Sequence, residues 1–218
     1  MEILSIIISL TILLFSSVLH EVAHGWVAYR LGDPTAKLLG RLTLNPVKHI
    51  DPYMSILLPI ILFIGSGGRF IFGGAKPVPV DLFNLRDGMK DFALVSVMGP
   101  LTNLLLAITG SIIIHFLFPE FSFNEVMASG IVGYILAQIV YLNLLLAIFN
   151  LMPIPPLDGS RAFALLLPEK TAAAYLAIGS GPFGFMILFF LLFFPIGGFS
   201  LMGILSNLID FGLRMLGF

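Results

Sequence analysis

Five stretches of this chain contain no Asp, Glu, Lys or Arg: Ile3 to His20, Pro52 to Gly68, Phe92 to Pro119, Val126 to Leu157 and Thr171 to Ile209. Roughly 20 mainly apolar residues make one membrane-spanning helix. The third and fourth runs read as one span each, and the first continues on a helical pattern through Glu21 to Leu31 as another. The last, broken at Pro195-Ile196-Gly197-Gly198, reads as two. The expected fold is an all-α polytopic membrane protein with about five transmembrane helices. Composition agrees, since 11% of the 218 residues are charged, against about 25% in a soluble domain. A net charge of −1 gives no basic footprint for nucleic acid. The absence of cysteine excludes disulfides, a thiol nucleophile and Cys-based zinc sites.

The run from Pro52 to Gly68 is short for a span, holds Pro59 and ends in Gly65-Ser66-Gly67-Gly68. It reads as a re-entrant segment or a sixth crossing. Lys and Arg in short loops favour the cytoplasmic side; Arg30, Lys37, Arg41 and Lys48 precede the segment, and Arg69, Lys76, Arg86 and Lys90 follow it. Re-entry places both groups on one side, and the later spans then add Arg161, Lys170 and Arg214. All eleven basic residues become cytoplasmic, whereas a full crossing divides the two largest groups. Just beyond, Gly73 to Val80 reads GGAKPVPV, where Pro77 and Pro79 deny a helix and suit an extended, β-like edge or loop. The N-terminal stretch has no Lys or Arg ahead of it and no small-residue cleavage site, which argues against a removable signal. With no repeat or linker in view, residues 1–218 are expected to form one domain, a catalytic core over 3–167 and a helical hairpin over 171–217.

His20-Glu21-Val22-Ala23-His24 falls inside the first expected helix. Residues i and i+4 share a helix face, so both imidazoles are placed to hold one Zn2+, with Glu21 beside them as a general base for water. Such a pentad also arises by chance, but three ionisable side chains within an apolar helix are costly in lipid and mark function or pairing. His20 lies about 16 Å of helix before Leu31, well inside the bilayer and within reach of the cytoplasmic end. Catalytic zinc sites usually have three protein ligands, and the candidates for the third are His49, His115, Glu120, Glu125, Asp158 and the loop acids. His115 stands near the far end of its span and reads as a packed or interfacial residue. His49, in the basic loop LNPVKHIDP, reads as a surface residue or a ligand. Asp158 follows Pro153, Pro155 and Pro156, which break the helix and leave backbone groups to be satisfied within protein or at a water-lined cavity. It reads as a ligand, or as the N-cap of a helix opening at Gly159.

HEVAH on a membrane helix, followed far downstream by NLMPIPPLDG, resembles the site-2 protease family of intramembrane zinc metalloproteases, whose signatures are H-E-x-x-H and N-x-x-P-x-P-x-L-D-G. The resemblance implies that His20, His24 and Asp158 bind one zinc per chain and that Glu21 activates water. It also implies that Asn150 donates to the oxyanion of the tetrahedral intermediate, a role preorganised amides fill in other hydrolases. Gly99-Pro100-Leu101-Thr102-Asn103 is similar to a weaker third element, G-x-x-x-N, for which close helix packing at Gly99 is an equal explanation. GRLTLNPVKHIDP and GGAKPVPV resemble a compact bacterial and archaeal subgroup without PDZ or CBS domains. The implied protein is a multi-pass cell-membrane metalloendopeptidase, opening from within the bilayer toward the cytoplasm. Its implied substrates are transmembrane proteins, including membrane-tethered transcriptional regulators and anti-sigma factors. A metal-ion transporter or channel using the same buried cluster is the rival function; it does not explain the complete hydrolytic set. A catalytically silent scaffold would not need that set.

Overall fold

The computed structural model describes residues 2–57, 60, 61, 64, 74–179, 181–195, 197, 198 and 200–218. In chain order its α-helices are α1 (Glu2–Arg30), α2 (Thr35–Leu38), α3 (Gly88–Leu117), α4 (Phe123–Ala128) and α5 (Ile131–Leu151). They are followed by α6 (Asp158–Ala164), α7 (Glu169–Gly179), α8 (Pro182–Phe193) and α9 (Leu201–Met215). α1, α3 and α5 are each long and apolar enough to cross a membrane. They turn large apolar side chains outward, among them Ile3, Ile7, Leu105, Ile112 and Phe116, as a lipid-facing surface requires. The run expected to form a two-span hairpin holds three helices among the described residues, since α7 ends at Gly179 and α8 begins at Pro182, ahead of the Pro195 break. α7 and α8 together are long and apolar enough for one broken span or a re-entrant loop.

α3 is the central helix, packed along both α1 and α5, with α1 also touching α5 and α6 resting on α3 and α5. Ala107, Leu144, Leu188, Leu205 and Ile209 knit α3, α5, α8 and α9 into one core. Val27, Ala28, Leu85 and Val95 join α1 to α3 at the end of the bundle where α1 finishes. There Arg30 lies 5.2 Å from the Trp26 ring centroid and Lys37 lies 4.3 Å from that of Tyr29. Such basic and aromatic pairs suit a membrane interface.

Residues 58, 59, 62, 63 and 65–73 lie outside the described residues, and with them most of the segment read as re-entrant or spanning. Its described flanks are in contact: the Ser55 hydroxyl donates to Gly74 O at 2.7 Å. From there, residues 74–80 cross the polar end of α1 as a strap without helix. Lys76 N donates to His49 O at 2.8 Å, and Arg41 Nη2 donates to Lys76 O at 2.7 Å. Val78 seats against Gly25, where a Cβ would come within 2.9 Å of a Val78 methyl.

Asp33 anchors the far end of the strap. Its carboxylate accepts hydrogen bonds from Asp81 N at 2.7 Å, Thr35 N at 3.0 Å and Asn84 Nδ2 at 3.1 Å, and from the Thr35 hydroxyl. Burial alone would raise its pKa, but the bonds from Thr35, Asp81 and Asn84 together hold it below its ordinary 3.8. The anchorage is therefore complete above that ordinary value and is lost as the pH falls through the lower folded one. Asp33→Ala leaves several donors unmatched, at about 1–3 kcal/mol for each that stays buried. Hydrogen exchange at the Asp81 amide is expected to quicken at least tenfold in this variant near neutral pH; an unchanged rate means the strap is held by other ties.

Candidate metal centre

α1 presents His20 and His24 on one face, both 6% exposed. Opposite them, α5 ends at Leu151, the proline-rich turn follows, and α6 opens with Asp158. The N-cap of α6 is Leu157, so Asp158 does not cap the helix as one reading of the sequence allowed. Its Oδ2 lies 3.1 Å from His20 Nε2 and 3.2 Å from His24 Nε2, and the two Nε2 atoms are 2.9 Å apart. Gly159 makes this return possible: a Cβ there would come within 2.7 Å of the carbonyl oxygens of Leu151 and Met152. α6 can start directly against the end of α5 only where no side chain intervenes.

Other groups hold the three side chains in place. His24 Nδ1 donates to Val95 O at 2.7 Å, which leaves Nε2 of the neutral ring as a bare lone pair. Pro100 lacks the amide that would bond one turn back in α3, and it loosens the ladder near this carbonyl. His20 Nδ1 lies 2.6 Å from Asn103 Oδ1. Arg161 Nη1 is 3.7 Å from the second Asp158 oxygen, and its guanidinium lies over the Phe92 ring. Gly99 brings α3 close to the histidines, since a Cβ at that position would come within 2.6 Å of both Nε2 atoms. Packing and the polar site thus both explain the Gly99 to Asn103 element.

This donor set fits zinc. Two imidazole nitrogens and a carboxylate oxygen are ordinary zinc ligands, and donors about 2.0–2.1 Å from a tetrahedral ion stand about 3.3 Å apart. The observed separations of 2.9–3.2 Å are close to that. Among the described residues His20, His24 and Asp158 are the group of His, Cys, Asp or Glu placed to hold a metal.

Glu21 is half-buried beside the cluster, and its Oε2 accepts the Val78 amide at 2.7 Å. Asn150 donates one amide hydrogen to Leu146 O within its own helix, at 3.0 Å. The other candidates lie elsewhere. His49 is fully buried rather than a surface residue, donating from Nε2 to Thr43 O at 2.8 Å. His115 donates to Ser111 O and its ring lies 4.7 Å from that of Phe218, tilted by 39°. Glu125 closes a capping box with Ser122. Arg161 and the Val95 and Val78 backbone groups join the site without having been assigned a place in it from the motifs, whereas Asn103 belongs to the weaker Gly99 to Asn103 element. The polar residues Ser16, Asn103 and Asn143, isolated within apolar helices, were the signal available for part of this.

The profile of Peptidase family M50 matches residues 7–132 and 120–193. YwhC of Bacillus subtilis, which carries the name zinc metalloprotease, is 38% identical over 198 residues, covering 89% of this chain and 84% of that protein. Rip2 of Mycolicibacterium smegmatis, named likewise, is 34% identical over 183 residues; the match covers 84% of this chain but 65% of Rip2, just under two thirds. MJ0611 of Methanocaldococcus jannaschii, again named zinc metalloprotease, is 30% identical over 160 residues, or 73% of this chain and 71% of that protein. No solved structure matches the chain. A family profile spanning most of the chain, together with a 38% identical relative matched over most of both lengths, shows that it belongs to peptidase family M50, the site-2 protease family.

Proposed function

We propose that this chain is an intramembrane zinc metalloendopeptidase acting on membrane-tethered proteins. In this reading His20, His24 and Asp158 hold the zinc, Glu21 is the general base and Asn150 donates to the oxyanion. The observation that carries it is the meeting of His20 Nε2, His24 Nε2 and Asp158 Oδ2 within 3.2 Å, inside helices that otherwise suit lipid. The relatives' names as zinc metalloproteases support the choice of metal. Zinc in such a set supplies a Lewis acid that activates water near neutral pH and polarises a carbonyl. Glu21 takes the proton from the attacking water and passes it to the leaving amine. The Val78 amide on Oε2 steadies the carboxylate and leaves Oε1 for that proton. Asn150 keeps one amide hydrogen for the oxyanion, the other being on Leu146 O.

A substrate helix must unwind before its carbonyl is open to attack. The strap over 74–80, whose Val78 amide meets Glu21, is the backbone onto which such a segment would add. Replacing residues 75–80 by a Gly/Ser linker is expected to lower cleavage while zinc content stays at one per chain. Unchanged cleavage would remove the strap from substrate binding.

The site opens toward the cytoplasm in this reading. Support comes from the positive-inside distribution, from the Ser55 to Gly74 contact that joins the two basic loops, and from the basic and aromatic pairs at the end of α1. Membrane-tethered transcriptional regulators and anti-sigma factors are the substrates this orientation suits. The test is purified protein in liposomes with a single-span substrate. Cleavage within the apolar segment, stopped by a chelator and restored by zinc, is expected. Zinc entering the vesicles with the substrate left whole would favour the transporter reading.

A further inference from the structure

Behind His20, three buried polar side chains from three helices form a chain of hydrogen bonds: Ser16 on α1 (4% exposed), Asn103 on α3 (0%) and Asn143 on α5 (1%). Asn143 Nδ2 donates to Ile139 O and to Ser16 Oγ, each at 2.9 Å. Asn143 Oδ1 accepts from Asn103 Nδ2 at 2.9 Å, and Asn103 Oδ1 faces His20 Nδ1 at 2.6 Å. An asparagine amide turned over exchanges its oxygen and nitrogen, so a group with a single polarity must set the direction of such a chain. The Ile139 carbonyl is that group, because it accepts and never donates. It requires the Asn143 nitrogen on its side and so turns the Asn143 oxygen toward Asn103. That oxygen requires the Asn103 nitrogen, a choice reinforced by Ser16 O, 3.4 Å from the same atom. Asn103 is left presenting its oxygen to His20, which accepts a hydrogen from Nδ1.

We infer that Asn143, whose hydrogen bonds among the described residues go to Asn103, Ser16 and Ile139 and to no member of the metal cluster, is a positioning residue that fixes the tautomer of His20 through Asn103. A neutral imidazole carries one N–H. With that hydrogen on Nδ1, His20 Nε2 is a bare lone pair, as His24 Nε2 is through Val95 O. The two nitrogens and Asp158 Oδ2 then meet at 2.9–3.2 Å with no hydrogen between them, an arrangement completed by a cation. The inference rests on the zinc-ligand reading of His20 given above. It adds that the backbone of α5 dictates, across α3, which nitrogen of an α1 histidine is free.

The test is a double-mutant cycle read as zinc affinity of the detergent-solubilised protein in competition with a chelator. Asn143→Leu is expected to weaken binding about 10–100-fold, as loss of an outer-shell partner does. Asn103→Ala, which removes the acceptor on His20 Nδ1 itself, is expected to weaken binding by a similar factor. In the Asn103→Ala background, Asn143→Leu then costs nothing more, because there is no amide left to orient. An equal cost in both backgrounds, or none in wild type, overturns the inference and leaves Asn143 a packing residue. Nitrogen-15 spectra of histidine in the zinc-loaded wild type are an independent check that needs no variant. A protonated Nδ1 with the metal-shifted resonance on Nε2 is expected for His20, and the reverse assignment overturns it. Wild type that binds no zinc at all defeats the metal reading itself, a different result from zinc binding with an additive cycle.

Discussion

Glu21→Gln is expected to lower peptide cleavage by about 10²–10⁴-fold, the contribution of a positioned general base, while one zinc per chain stays bound. The substitution isolates basicity from geometry. Glutamine keeps an oxygen able to accept the Val78 amide, now 2.7 Å from Glu21 Oε2, so the strap has no reason to move. His20, His24 and Asp158 keep their mutual separations, since none of them is hydrogen-bonded to Glu21 among the described residues. What disappears is the site that takes a proton from water. Cleavage in the variant at near wild-type rate would show that another group is the base; loss of zinc together with cleavage would make Glu21 part of the metal's support.

Gly99→Ala is expected to have a comparably large effect by another route. The added carbon would come within 2.6 Å of His20 Nε2 and His24 Nε2, the two atoms proposed to face the metal. Relief requires α3 to withdraw or the imidazoles to rotate, and either motion breaks the bonds from His24 to Val95 O and from His20 to Asn103. Overpacking of this kind typically costs 1–3 kcal/mol of stability. Displacing reacting groups by an ångström costs about 10²-fold in rate. Zinc content below one per chain and cleavage reduced by about 10²-fold or more are the expected readings. Leu101→Ala, at a position 40% exposed on the same helix, serves as the control that should lose neither. A Gly99→Ala protein with full zinc and full activity would mean that α3 does not press on the histidines.

The parts of the site legible in the sequence were those in which spacing along one element decides position. The four-residue interval in HEVAH places His20 and His24 on one helical face, and the proline-rich turn before Asp158 marks a break where an acid can face inward. The crossing of α3 over α1 was not legible, and it is this crossing that brings Asn103 and the Val95 carbonyl onto the histidine rings. No local pattern reports such an angle. The Gly99 element shows the limit well: its glycine was equally open to a packing explanation, and the close approach at Gly99 and the bond from Asn103 are two results of one helix crossing. The last apolar run carries two turn signals, Gly179-Ser180-Gly181-Pro182 and Pro195-Ile196-Gly197-Gly198, and only the second was read as a break, although α7 ends at the first. His49 was left open between surface residue and ligand, and its burial removes the first of these. Its basic loop neighbours suggested solvent, whereas the strap from Gly74 onward folds back beside that loop and the residue is buried.

X-ray absorption at the zinc edge of the purified protein reads the metal site itself. One zinc per chain is expected in a shell of nitrogen and oxygen donors at about 2.0–2.2 Å, with the imidazole contribution of two histidines. In His24→Ala that imidazole contribution should be halved or the zinc lost. A stoichiometric zinc whose spectrum is unchanged by His24→Ala and by Asp158→Ala would contradict the account, because the metal would then be held somewhere other than between α1 and the start of α6.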